Sequence, residues 1–161
     1  MKIGDYASQI GNYYELQNDR ISAKTFDDRA GCFLLIEALK RNQGKSPNDI
    51  YYVFTVQEEV GNRGATTASF QIRPDIGISV DVSPDHFYPC DLEGCNVVGD
   101  GVSITLGDPS AMMDETLVEE AFACCAEHNI RYQRGVMDRG GTDACAMNVS
   151  GVGTRVLGVA L

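Results

Sequence analysis

At 161 residues, with 43% hydrophobic and 22% charged side chains, the chain has the size and composition of one soluble domain. A formal net charge of -10 leaves no basic stripe to neutralise phosphates, which argues against a nucleic-acid partner and against an anionic membrane surface. The six cysteines contain no Cys-x-x-Cys pair, and the two histidines, His86 and His128, no His-x-x-x-His partner, so a zinc ribbon has no support. Met1-Lys2-Ile3-Gly4-Asp5 lacks the apolar core of a signal peptide, and no transmembrane run follows. The expectation is a cytoplasmic protein with free thiols.

Residues 1–23 alternate apolar and polar with Asn and Gly interruptions and read as short strands and turns. Residues 30–41 predict an amphipathic helix with Ala30, Leu34, Leu35, Ala38 and Leu39 on its buried face. Residues 50–56 form a continuous β-branched and aromatic run, the pattern of a strand buried on both faces. A short helix of small residues over 64–70 follows, then a second buried strand over 76–82 that ends at Asp81. A glycine-punctuated strand region covers 97–106. Asp114 caps a helix over 115–128 whose stripe is Leu117, Val118, Ala121, Phe122 and Cys125. A strand over 132–136, a short helix capped by Thr142, and a last strand over 154–161 complete the chain. Helices alternating with buried strands imply an α/β fold, a largely parallel central sheet flanked by helices.

The chemistry gathers on carboxylates. Asp27-Asp28 opens a helix, Glu58-Glu59 ends one predicted strand and Asp81 ends another. Each has a plain structural reading. The aspartates can cap a helix, and the glutamates can decorate a solvated turn. Asp81 is harder to dismiss, because a lone carboxylate among buried-strand residues needs a partner. Ligands in such sheets bind beyond the carboxyl ends of the strands, where Glu58, Glu59 and Asp81 fall. Converging acids disfavour one another's ionisation, and divalent cations relieve them.

Four segments carry a resemblance: Phe26-Asp27-Asp28-Arg29-Ala30-Gly31-Cys32, Gln57-Glu58-Glu59-Val60-Gly61-Asn62-Arg63-Gly64-Ala65, Asp81-Val82-Ser83-Pro84 and Gly140-Gly141-Thr142-Asp143-Ala144. In this order they resemble the motifs of the M42 family of metallo-aminopeptidases, the glutamyl aminopeptidase or tetrahedral (TET) type, some of which carry an endoglucanase label. The resemblance implies residues 24–161 as part of a zinc-peptidase-like catalytic domain, incomplete at both ends, and residues 1–23 as the return segment of a β-rich dimerisation domain. It implies two divalent ions, zinc or cobalt, with Asp27 bridging them and Glu59 and Asp81 each ligating one. Glu58 is then the general base, and Gly141, Thr142 and Asp143 line the substrate side. The peptide bond after Asp27 is expected to be cis. The implied partners are a peptide substrate and further copies of the chain.

The resemblance also implies one histidine for each ion, at places that this chain does not include. The expectation is therefore an impaired fragment that binds metal weakly or not at all. His86, five residues beyond Asp81, reads as a solvated loop residue rather than a substitute ligand, and His128 as a helix-end residue. A non-catalytic subunit of the same lineage is the alternative. A glycosidase using Glu58 and Asp81 has little behind it, because no aromatic sugar platform accompanies them and Trp is absent.

Overall fold

The computed structural model describes residues 1–85 and 96–161. The first 22 residues contribute only β1 (Tyr14–Leu16) and β2 (Arg20–Ser22), an antiparallel pair separate from the main sheet and exposed throughout. Helix α1 (Phe26–Asn42) and helix α2 (Arg63–Ile72) precede strand β3 (Ile76–Asp81). Then come β4 (Val102–Gly107), α3 (Glu115–Glu127), β5 (Tyr132–Val136), α4 (Asp143–Asn148) and β6 (Arg155–Ala160). The main sheet has the order β3-β6-β4-β5. The β3–β6 and β4–β5 pairs are parallel, whereas β4 meets β6 antiparallel. The chain is therefore α/β with a mostly parallel sheet, as its alternating pattern predicts.

The core lies between α3 and the middle of the sheet. Leu117, Val118, Phe122 and Cys125 of α3 are buried with Ile104 of β4 and with Val156 and Leu157 of β6. Phe122 stacks on Tyr132 at 5.1 Å between ring centroids, and the Arg134 guanidinium sits 4.3 Å over the Phe122 ring. Asp114 caps α3 as its sequence predicts: the carboxylate accepts from the Leu117 N–H at 3.1 Å. The same carboxylate receives Arg155 through two nitrogens, each at 2.9 Å, which ties the helix start to the start of β6.

Three expectations fail, all on one flank. Residues 50–56 form no strand, and most of their apolar side chains are exposed. A strand exists only through its ladder, and no described strand runs alongside this segment. The predicted buried stripe of α1 is likewise open: Gly31 is the helix's only buried residue, and Leu34, Ala38 and Leu39 are exposed. Strand β3 stops at Asp81 and, among the described residues, is an edge strand. Its Gly77 and Ser79 face α4, but Ile76 and Ile78 on the other face are exposed rather than buried.

Candidate active site

Asp27 and Asp28 stand at the start of α1, where the backbone leaves helical geometry (φ -81°, ψ 107° and φ -117°, ψ 54°). The Asp27–Asp28 peptide bond is cis, in keeping with the resemblance. The Asp28 carboxylate turns back over the helix and accepts from the Gly31 N–H at 2.9 Å. A Cβ at residue 31 would come within 2.3 Å of Oδ2, so any side chain there would have to displace this carboxylate from its bond. Burial is the main force raising the Asp28 carboxyl above its ordinary value, helped by the charges of Asp27, Asp143 and Glu59.

Glu58 and Glu59 lie in the turn that leads into α2. The Glu58 carbonyl accepts from the Gly61 and Asn62 N–H groups, each at 3.0 Å, and Gly61 supplies the positive φ of 119° that the turn needs. Asn62 holds the left-handed conformation at the helix start without capping the helix. Its side-chain amide reaches outward instead. It donates to Glu58 Oε1 at 2.8 Å and to Asp143 Oδ1 at 3.1 Å, so one asparagine clamps two acids. Burial raises the Glu58 carboxyl; the Asn62 bond opposes this, and the charges of Asp143, Glu59 and Asp27 add to it.

Asp81 ends β3, where its Oδ1 accepts from the Val82 N–H at 2.8 Å. Burial, reinforced by the charges of Asp28, Asp27 and Glu58, lifts this carboxyl to about 7. Asp143, the first residue of α4, accepts from the Thr55 hydroxyl at 2.6 Å besides Asn62. Thr142 is buried; its hydroxyl lies 3.0 Å from that of Ser79 and accepts from the Ala144 N–H at 3.3 Å. Gly141 sits against Ser110 and Asp108.

Six acids from four segments therefore meet in one neighbourhood: Asp27, Asp28, Glu58, Glu59, Asp81 and Asp143. Oxygen donors whose burial and mutual repulsion raise their carboxyls suit a divalent cation in charge and donor type. Their spacing is another matter. Among the described residues no three His, Cys, Asp or Glu side chains lie close enough to share one ion. The acids are gathered but not assembled into a coordination shell. His86 lies outside the described residues, and His128 is the exposed C-cap of α3.

Asn62, Thr55 and Ser79 carry this geometry and had no weight in the sequence. Asn62 and Asp143 are 81 positions apart, and no local pattern announces a bond of that span. The only available signal was an asparagine after glycine at a helix start, which reads as an ordinary cap.

The comparisons with known proteins first give the class of the relatives, which are aminopeptidases. A putative aminopeptidase of Acetivibrio thermocellus is 36% identical over 157 residues, covering 95% of this chain and 46% of that protein. The TET aminopeptidase of the marine sediment archaeon Thaumarchaeota archaeon SCGC AB-539-E09 superposes with a TM-score of 0.86 at 31% identity, covering 94% of this chain and 44% of its own. The Pyrococcus horikoshii TET1 peptidase, described as assembling into a tetrahedron or a large octahedral shell, superposes with a TM-score of 0.72 at 27% identity. The family model for M42 glutamyl aminopeptidases matches residues 1–161, and the chain belongs to that family. It spans just under half the length of the curated relatives it matches, 46% for each of the first two. Their aminopeptidase descriptions do not favour the non-catalytic alternative.

Proposed function

We propose that residues 24–161 supply the carboxylate side of a two-metal aminopeptidase centre, in which Asp27, Glu59 and Asp81 hold the ions and Glu58 is the general base. The convergence of acids beyond the carboxyl end of β3, with Asp81 lifted to about 7, carries the reading. Two divalent cations, zinc or cobalt by the family resemblance, would neutralise the crowded carboxylates and polarise the scissile carbonyl.

The chain's own residues do the rest. Glu58 takes a proton from the attacking water and returns it to the leaving amine. A carboxyl raised by burial is better matched to that exchange than a solvated one. Asn62 fixes the rotamer of Glu58 through Oε1 and holds Asp143 beside it. Thr142, bonded to Ser79, sets the level of the Gly141–Asp143 loop against the sheet, so that Gly141 and Asp143 border the substrate. The surplus negative charge favours a peptide's cationic amino terminus, which suits removal of terminal residues. Residues 1–23 act as the return segment of a dimerisation domain, and copies assemble in the cytoplasm. Among the described residues no helix is long and apolar enough to cross a membrane.

Cobalt titration of the chain, followed by calorimetry, tests the ligand assignment. The acids are gathered without a complete shell, so binding should be weak. Asp27→Asn and Asp81→Asn should each weaken it further, and Asp114→Asn, on the opposite end of the sheet, should not. In an assembly that hydrolyses amino-acid anilides, Glu58→Gln should abolish turnover and leave metal binding intact. Turnover that survives this substitution would remove Glu58 as the base.

A further inference from the structure

The hydrogen bonds around Glu58 close on themselves. Asn62 Nδ2 donates to Glu58 Oε1 at 2.8 Å and to Asp143 Oδ1 at 3.1 Å, which engages both protons of the amide. The other Asp143 oxygen accepts from the Thr55 hydroxyl at 2.6 Å. The amide oxygen of Asn62 faces a different group. It accepts from the thiol of Cys145, the third residue of α4, with Sγ 3.7 Å from Oδ1 and the two residues 83 positions apart.

An asparagine amide is nearly symmetric in shape, and half a turn about its last torsion exchanges oxygen and nitrogen. The turned form would set Oδ1 against two carboxylates and the NH2 group against the thiol. The backbone does not choose between the forms, because Asn62 stands in the left-handed region and its side chain makes no cap bond to α2. The surroundings choose. The acids ask for N–H groups on one side, and the thiol offers S–H on the other. That thiol is held in its donor form. Burial raises it above the ordinary cysteine value, the charges of Asp108, Asp143 and Glu58 add to this, and the Ala146 N–H opposes.

We propose that Cys145 is a positioning residue for Glu58: its S–H group holds the Asn62 amide with nitrogen toward both acids and oxygen away from them. The inference rests on the reading of Glu58 as the general base. Among the described residues only Oε1 of Glu58 receives a donor, so the same bond leaves Oε2 to face the attacking water. Without the thiol, Oδ1 loses its donor beside two carboxylates and the amide populates the turned form. Oε1 then meets an oxygen instead of an N–H group, and the carboxylate swings out of line. Small displacements of this kind are expensive for a proton transfer that depends on alignment. Helix α4 thus steers the base from two positions, Asp143 from the nitrogen side of the amide and Cys145 from the oxygen side.

The test reads the amide directly. In the 161-residue chain, nitrogen-labelled at its asparagine side chains, each NH2 group gives a pair of proton signals, and the pair of Asn62 is the one missing from Asn62→Ala. In Cys145→Ala, and in Cys145→Val, which keeps the bulk of the thiol without a donor, that pair should shift and exchange with solvent about tenfold faster. Cys145→Ser, whose hydroxyl donates, should restore slow exchange. Cys124→Ala, at an exposed cysteine of α3, should leave the pair where it is. The remaining asparagine pairs report that each variant is folded. An unmoved pair in both Cys145→Ala and Cys145→Val, or a serine variant that behaves as they do, would overturn the proposal. Activity separates it from the reading it rests on. In an assembly that hydrolyses amino-acid anilides, Cys145→Val should lower kcat about tenfold at unchanged KM, and Cys145→Ser should recover it. An amide that responds as described while kcat holds would leave the thiol's grip on Asn62 standing and count against Glu58 as the base.

Discussion

The half of the sheet beneath α3 and the flank formed by α1, residues 50–56 and β3 carry similar apolar patterns and meet opposite fates. In the first, Leu117, Val118, Phe122 and Cys125 repeat at helical spacing and are all buried. In the second, α1 carries the expected stripe of Ala30, Leu34, Leu35, Ala38 and Leu39 in a more polar helix, and only Gly31 is buried. β4, β5 and β6 all lie within the described residues and close over α3, whereas among the described residues no element covers residues 50–56 or the outer face of α1. Amphipathicity measures the demand for a partner, not its presence.

The largest effect that can break this comparison is a truncation on each side of it. Phe122→Ala should cost about 3–5 kcal/mol of unfolding free energy, because it empties a buried site and removes the contacts with Tyr132 and Arg134. Phe54→Ala should change stability by no more than about 0.5 kcal/mol, as expected of an exposed side chain. Urea denaturation of the two variants decides; similar losses would mean that the flank is covered after all.

Next in size is a pH effect at the junction of the two regions. Asp81 has a folded-state carboxyl near 7 against an ordinary 3.8, so folding favours its protonated form. That preference is fully expressed below about pH 4 and is lost as pH rises through 7, where the ionised group is a burden. Asp81→Asn should therefore stabilise the metal-free chain above pH 7 by about 1–2 kcal/mol, after allowance for screening of a partly exposed group. The gain should vanish below pH 4. A pH-independent difference in thermal midpoint would show that Asp81 is not crowded as described.

A smaller change concerns the clamp. Asn62→Ala removes the one hydrogen bond that holds the Glu58 carboxyl down, so its titration, followed by carbon NMR, should move upward. A downward move would assign the shift to something other than burial and neighbouring charge. The smallest effect belongs to the well-covered half. Asp114, held near 2 by Arg155 and by the α3 N–H groups, adds stability that is present above the ordinary carboxylate range and lost as pH falls through 2. Asp114→Asn should lower the thermal midpoint slightly at pH 7, and the difference should fade in acid.

Element order was readable because it is written in short-range terms. The Asp114 cap, the stripe of α3, the Thr142 cap and the β-branched runs of β3 and β6 each need only a few neighbouring residues. The motif acids were readable in the same way, as carboxylates at element ends. Which of them interact was not, since the contacts of Asn62 with Asp143 and of Ser79 with Thr142 span 81 and 63 positions. The strand expected at residues 50–56 failed for a related reason, because its pattern encodes a preference that only a neighbouring ladder can realise.

By itself, then, the sequence determined that this chain is an M42-type α/β domain with acids at its strand and helix ends, because periodicity and caps act locally. The tertiary structure alone decided that, among the described residues, β3 is an edge and the apolar side chains of residues 50–56 are exposed, and that Asn62 clamps Glu58 to Asp143. Those facts depend on which distant surfaces meet, and burial and electrostatics take their values only once they do.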